Sequence, residues 1–234
     1  MMKGTDKRIE LVACGSCTNE PGHAVFGEWD YTVLKECYDY IDYMSIHRYF
    51  NWRPDRSMFY KIHEDIGDIP FMFRDLQNYI SAITGACDLV KEMRHSDKTV
   101  NLSFDEWGVI SDASAPLGVD GYEYSYASFN QLDAVIYGGL LCTFLNNADR
   151  VKIACQSLLV NEGGMISTLP GKPAIRQTVF FPFKDVAHLA NGVALRAACQ
   201  LPTAKTTLHG EHHTLVTAAT YDEANGKLTD SSPH

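Results

Sequence analysis

Residues 73–95, FRDLQNYISAITGACDLVKEMRH, set the strongest limit on the fold. Leu76, Tyr79, Ile80, Ile83, Cys87 and Val90 recur at intervals of three and four, which predicts one apolar stripe on a long amphipathic helix. Short apolar runs stand before and after it: RIELVACG at 8–15, IDYMSIHRYF at 41–50 and KTVNLSFDEW at 98–107. Each has the length and texture of a buried strand. Between the first two, EWDYTVLKECYDY (28–40) spaces Trp29, Val33, Leu34 and Cys37 as a helix does. A rhythm of strand, helix, strand, helix, strand predicts an α/β fold with parallel strands.

The C-terminal half reads differently. Residues 111–124 hold Gly and Pro and read as a loop, and SYASFNQLDAVIYGGLLCTFLNNA (125–148) reads as helix. RVKIACQSLLVN (150–161) fits strand and helix equally well by period. From about residue 175 the runs are short, alternating and punctuated by turn formers, with Asn225-Gly226 as a hairpin signal. That texture is the opening of a β-sandwich, which needs about seven strands, and only two or three fit here. The chain therefore divides into 1–174 and 175–234.

A net charge of −9 argues against nucleic acid and anionic membrane surfaces as partners, because both require a basic patch. No apolar run reaches the roughly 18 residues of a membrane span, and the N-terminus MMKGTDKRIE lacks the apolar core of a signal peptide. A cytoplasmic location is expected. Seven scattered cysteines suit a reducing compartment, and Cys87, Cys142, Cys155 and Cys199 sit in apolar segments as small hydrophobes do. Cys14 and Cys17 have the spacing of a redox or zinc pair, but no second ligand pair accompanies them, so no metal and no cofactor is expected.

The three strands end in groups able to do chemistry. Ser16 and Asn19 follow the first, His47 and Tyr49 lie on the second, and Asp105, Glu106 and Trp107 close the third. In barrels of parallel strands, catalytic groups occupy the carboxyl ends of strands. A glutamate there, beside an indole and near an imidazole, is suited to act as general base or nucleophile. The plainer alternative makes Asp105 a loop cap and Glu106 a solvated strand end.

NLSFDEWGV resembles the nucleophile motif of glycoside hydrolase family 51, the α-L-arabinofuranosidases. LVACGS, FGEWDYTVLKECYDYIDYMSIHRYF, DKTVNLSFDEW, RVKIACQSLLVN, RQTVFFPF and GVALR follow in that family's order and spacing, across nearly the whole chain. The resemblance implies a partial TIM (β/α)8 barrel, about strands five to eight, followed by the beginning of a C-terminal β-sandwich. It implies a retaining hydrolase acting on arabinofuranosyl-containing saccharides. Glu106 falls on the family's nucleophile, and His47 and Tyr49 fall on positions that line the sugar pocket. Family relatives are usually oligomeric, so association into a homo-oligomer is expected.

A retaining glycosidase also needs an acid/base carboxyl about 5–5.5 Å from the nucleophile. In the family it belongs to an Asn-Glu pair ending the fourth strand. Asn19-Glu20 has that form, but two strands should separate it from the nucleophile and only 41–50 intervenes. LVACGS matches the fifth strand instead, which places the acid/base pair upstream of Met1. A chain of this kind is expected to hydrolyse no arabinoside usefully by itself. The alternatives are a non-catalytic carbohydrate-binding remnant holding sugar with His47, Tyr49 and Trp107, and a thiol-redox protein built on Cys14 and Cys17. Two departures from the family stand out: Gly108 replaces the usual Asn after Asp-Glu-Trp, and Leu158 replaces a Gln, with Gln156 two residues earlier.

Overall fold

The computed structural model describes residues 2–18, 26–51, 69–110, 112–119, 122–161, 163–206 and 210–232, with backbone alone over 112–119 and 122–127. Its first elements are α1 (Met2–Thr5), β1 (Val12–Cys14), α2 (Glu28–Cys37), β2 (Tyr43–Phe50), α3 (Ile69–Met93) and β3 (Asn101–Val109). There follow β4 (Asp112–Val119), β5 (Tyr122–Ser128), α4 (Gln131–Asn146) and β6 (Val151–Ala154). The remainder is β7 (Ile166–Ser167), β8 (Ile175–Arg176), α5 (Phe180–Leu189), β9 (Val193–Leu195), β10 (Thr203–Thr206), β11 (Gly210–His213), β12 (Ala218–Asp222) and β13 (Lys227–Ser231). Two compact units share the chain. One takes Met1–Arg48, Gln77–Trp107 and Asn147–Cys155; the other takes Tyr49–Leu76, Gly108–Asn146 and Gln156–His234.

The first unit is built on a sheet in the order β1-β2-β3-β6. β1 runs parallel to β2, with Cys14 opposite Ser45, and β3 runs parallel to β6. Links between β2 and β3 advance together along both strands, from Asp42–Asn101 to Ser45–Asp105. These two strands therefore also run the same way, and α2 and α3 supply the crossovers that parallel neighbours require. All six residues of the α3 stripe are buried, each at 2% exposure or less. Burying an aliphatic side chain of this size stabilises by about 1.5–3 kcal/mol, so this stripe is what holds α3 down.

On α2 the buried face differs from the expected one. Leu34 is buried as expected, but Trp29 is 46% exposed and Asp30 is buried. Asp30 accepts hydrogen bonds from the amides of Gly27 (3.1 Å) and Ser16 (2.8 Å) and from the Ser16 hydroxyl. A buried carboxylate with three donors is satisfied, and its bonds set the rotation of the helix. The Trp29 indole lies outside, donating to the Cys14 carbonyl at 2.9 Å.

In the second unit, β4 and β5 form an antiparallel hairpin where a loop and the start of a helix are expected from sequence. Pro116 and Gly118 give the loop signal, and the ladder steps around the proline with a register shift between Ser114 and Leu117. The helix begins at Gln131. Asn130 caps it, accepting from the amides of Leu132 and Asp133, while the Asp133 carboxylate accepts from the Asn130 amide at 2.8 Å. That reciprocal pair is a capping box. α4 is apolar around its circumference and correspondingly buried, including Ile136, Tyr137, Leu140, Leu141 and Phe144.

The ambiguous segment 150–161 contains strand β6. Farther on, α5 occupies FFPFKDVAHL, where short strands are expected; Pro182 falls in its first turn, where proline costs no hydrogen bond. β13-β12-β9 form one sheet and β10-β11 a hairpin, and Asn225-Gly226 lies in the turn closing β12 onto β13, as its sequence predicts. Cys87 and Cys142 are buried, whereas Cys155 and Cys199 are exposed, correcting the expectation for those two. Cys155 stands just past the end of β6, and Cys199 follows β9 in an irregular stretch, so neither has a core to enter.

Candidate active site

β2 and β3 present their polar groups at neighbouring positions of the first unit. On β2 the alternation of a strand puts Ser45, His47 and Tyr49 on one face, while Ile46, Arg48 and Phe50 on the other are buried. On β3, Leu102, Ser103 and Phe104 are buried, and the chain then turns polar at Asp105 and Glu106 before Trp107 buries again at 1% exposure. Trp107 is thus a packing residue beside the carboxylates.

The His47 imidazole lies between the two acids. Its Nε2 is 3.2 Å from Asp105 Oδ1, and its Nδ1 is 3.6 Å from Glu106 Oε2. The Ser45 hydroxyl donates to the same Asp105 oxygen at 2.6 Å. The three charged or polar side chains are partly open, at 30% for His47, 43% for Asp105 and 45% for Glu106, so a ligand can reach them.

The backbone beneath the group is pinned. The Gly15 amide donates to the Ser45 carbonyl at 2.8 Å, and the His47 amide donates to the Ser16 carbonyl at 3.2 Å. A Cβ on Gly15 would stand 2.4 Å from the Ser45 oxygen, so only glycine permits this approach. The Ser16 carbonyl also accepts from the buried Tyr79 hydroxyl at 2.7 Å. Arg48, fully buried, donates to the Thr18 hydroxyl at 3.3 Å.

Tyr49 falls in the second unit, with its Cε1 3.5 Å from where a Cβ on Gly108 would lie. The same Cβ would meet the Tyr137 hydroxyl at 2.7 Å, which explains why an Asn is not accommodated at 108. Burial pushes the Tyr137 phenol up from its ordinary value. Its oxygen accepts from Gln156 Nε2 at 3.3 Å, and that amide also donates to the carbonyls of Ser157 (3.0 Å) and Gly163 (2.9 Å). Gln156 is thereby committed to local bonds, and Leu158 is 48% exposed.

Structure thus brings Glu106 and His47 together and adds Ser45 and Asp105, which sequence reasoning left unassigned. The available signal was the S-x-H spacing on one strand face opposite an acid pair. Asn19 and Glu20 lie outside the described residues. Cys14 and Cys17 are exposed, and among the described residues no group of three or more His, Cys, Asp or Glu side chains is arranged to hold a metal ion.

Residues 105–231 match the family model described as the α-L-arabinofuranosidase C-terminal domain. An intracellular exo-α-(1→5)-L-arabinofuranosidase of Halalkalibacterium halodurans is 37% identical over 214 residues, covering 86% of this chain and 39% of the relative. Its counterpart in Streptomyces lividans is 36% identical over 217 residues, covering 90% and 31%. Among solved structures, a family 51 α-L-arabinofuranosidase from Bifidobacterium longum superposes with a TM-score of 0.81 at 31% identity, covering 95% of this chain and 45% of that one. The Thermotoga maritima α-L-arabinofuranosidase in its arabinose complex, at 20% identity and a TM-score of 0.71, shares the fold. The chain spans less than half the length of the curated relatives it matches.

Proposed function

Because the chain belongs to glycoside hydrolase family 51, the α-L-arabinofuranosidases, we propose that it carries the nucleophile half of a retaining arabinofuranosidase site. In this reading residues 1–174 correspond to about strands five to eight of a TIM barrel, and 175–234 to the start of the C-terminal β-sandwich. The substrate is a saccharide with terminal α-L-arabinofuranosyl groups, met inside the cell as the names of the relatives suggest.

The observation that carries the reading is the setting of Glu106: half-open, at the carboxyl end of a parallel strand, with His47 Nδ1 at 3.6 Å. A Glu106 oxygen bonds to the anomeric carbon as the bond to the leaving oxygen breaks, and the leaving oxygen takes a proton from a general acid. Water then displaces Glu106 from the anomeric carbon and gives its proton to the conjugate base, so arabinose leaves with its configuration retained. His47, beside Glu106, orients the nucleophile.

The general acid is read as absent from this chain. Glu20 follows β1, and among the described residues only β2 intervenes before β3 carries Glu106. That spacing favours a second reading, in which the chain binds an arabinosyl group without cleaving it. Substrates differing in leaving group separate the two. An arabinofuranoside with a dinitrophenyl leaving group needs no protonation. A nucleophile without its acid gives a burst of dinitrophenolate equal to the protein concentration, absent in Glu106→Gln, and negligible turnover of an alkyl arabinofuranoside. No burst with either substrate supports the binding reading, and rapid turnover of the alkyl glycoside restores Glu20 as the acid.

A further inference from the structure

α2 carries a buried acid that the reaction just described does not use. Asp30 is 0% exposed and accepts from the Ser16 amide at 2.8 Å, from the Gly27 amide at 3.1 Å and from the Ser16 hydroxyl. Taking a carboxylate out of water is costly, and oriented donors offset the cost here. Two of those donors belong to one residue. Ser16 is 4% exposed, and its carbonyl in turn receives the His47 amide at 3.2 Å and the Tyr79 hydroxyl at 2.7 Å.

The His47 bond departs from regular pairing. β1 and β2 keep parallel register through Cys14 and Ser45, and the Gly15 amide meets the Ser45 carbonyl at 2.8 Å. Continued evenly, that ladder would bring the His47 amide to the Gly15 carbonyl. It meets the Ser16 carbonyl instead, so an extra residue enters the chain after β1 just where β2 presents His47. Irregularities of this kind re-aim side chains. The ladder does not fix the extra residue by itself; the two bonds to Asp30 do.

We propose that Asp30 is a positioning residue: by clamping Ser16 it sets the backbone from which the His47 imidazole stands 3.6 Å from Glu106 Oε2. The inference rests on Glu106 being the nucleophile. Tyr79, on α3, holds the same Ser16 carbonyl by one neutral bond, which is weaker than bonds to a carboxylate. Without the clamp Ser16 returns to even pairing, the His47 amide shifts toward the Gly15 carbonyl, and the imidazole moves relative to Glu106.

The test uses the full chain and a mechanism-based arabinofuranosyl inhibitor that labels a nucleophilic carboxylate, well below the melting temperature of each variant. Asp30→Ala removes the clamp. Ser16→Ala removes its hydroxyl arm and keeps the amide arm, and Asp30→Asn keeps an acceptor for the Ser16 amide. At saturating inhibitor the labelling rate in Asp30→Ala falls on the order of ten- to a hundredfold, the scale of a misplaced reacting group. The concentration for half-maximal labelling changes little. Ser16→Ala lies between that variant and the parent, and Asp30→Asn recovers the larger part of the lost rate. The His47 amide, identified by isotopic labelling of histidine nitrogen and its disappearance in His47→Gln, changes its chemical shift in the same order.

A folded Asp30→Ala protein labelled at the parent rate overturns the proposal. So does a slowed one whose His47 amide signal is unmoved. Where Asp30→Ala does not fold, Ser16→Ala carries the test by the same two readouts. A parent protein never labelled at Glu106 refutes the function on which the inference rests, and the His47 amide then decides the link from Asp30 through Ser16 alone.

Discussion

Gly108 shows how one missing methylene-sized volume shapes the neighbourhood of the site. A Cβ there would lie 2.7 Å from the Tyr137 hydroxyl, inside any real contact distance. Tyr137 is buried on α4 and tied to Gln156, so it has little room to yield. Gly108→Ala is therefore expected to destabilise the chain by about 1–3 kcal/mol, the usual penalty for overpacking. Removing the hydroxyl removes the collision, so in Tyr137→Phe the same alanine should cost measurably less. Thermal melts of the two single variants and the double variant give the coupling; additive effects would show that Tyr137 is not what Gly108 makes room for. Gln156 keeps its bonds to Ser157 and Gly163 in Tyr137→Phe, so the cycle reads the collision rather than a lost network.

At the scale of elements, what could be read from sequence follows period and what could not follows pairing. The α3 stripe is legible because six apolar residues at helical spacing have one way to be buried, and β2 and β3 are legible as apolar runs bounded by turns. β5 shows a signal that was present but outweighed: Tyr122, Tyr124 and Tyr126 alternate as strand residues do, yet the glycines and proline before them read as loop. Asp30 and Ser45 were illegible for another reason. Their partners lie 14 and 60 residues away, and only the register of the folded sheet brings them together. Glu106 and His47 were visible through family motifs, whereas the Asp105 contact requires coordinates. Two substitutions test the helix-to-sheet packing directly. Ile83→Ala should lower stability by about 2–5 kcal/mol through a core cavity. Tyr79→Phe should cost about 0.5–1.5 kcal/mol, because the Ser16 carbonyl loses the hydroxyl donor but keeps the His47 amide, while the ring keeps its edge-on contact with Phe104. A Tyr79→Phe protein melting with the parent would show that the His47 amide alone satisfies the Ser16 carbonyl.

Across the whole molecule the cysteines give a pH prediction of definite sign. Burial pushes both the Cys87 and the Cys142 thiols up to about 12 from 9.0. Raised values mean that the folded chain holds these protons more tightly than the unfolded chain does. The stabilisation is complete below pH 9 and is lost as the pH rises from 9 toward 12. The melting temperature should fall across that window, and less steeply in a Cys87→Ala/Cys142→Ala variant; parallel slopes would show that the thiols are not the cause. Alkylation at neutral pH should mark Cys14, Cys17, Cys155 and Cys199 and spare Cys87 and Cys142 until unfolding. The role of Glu106 as nucleophile is tested by the mass of the protein and its peptides after reaction with a mechanism-based arabinofuranosyl inhibitor. One added arabinosyl group on the peptide containing Glu106, absent in Glu106→Gln, is the predicted result. A label on another carboxylate, or an identical label in Glu106→Gln, rules Glu106 out as the nucleophile.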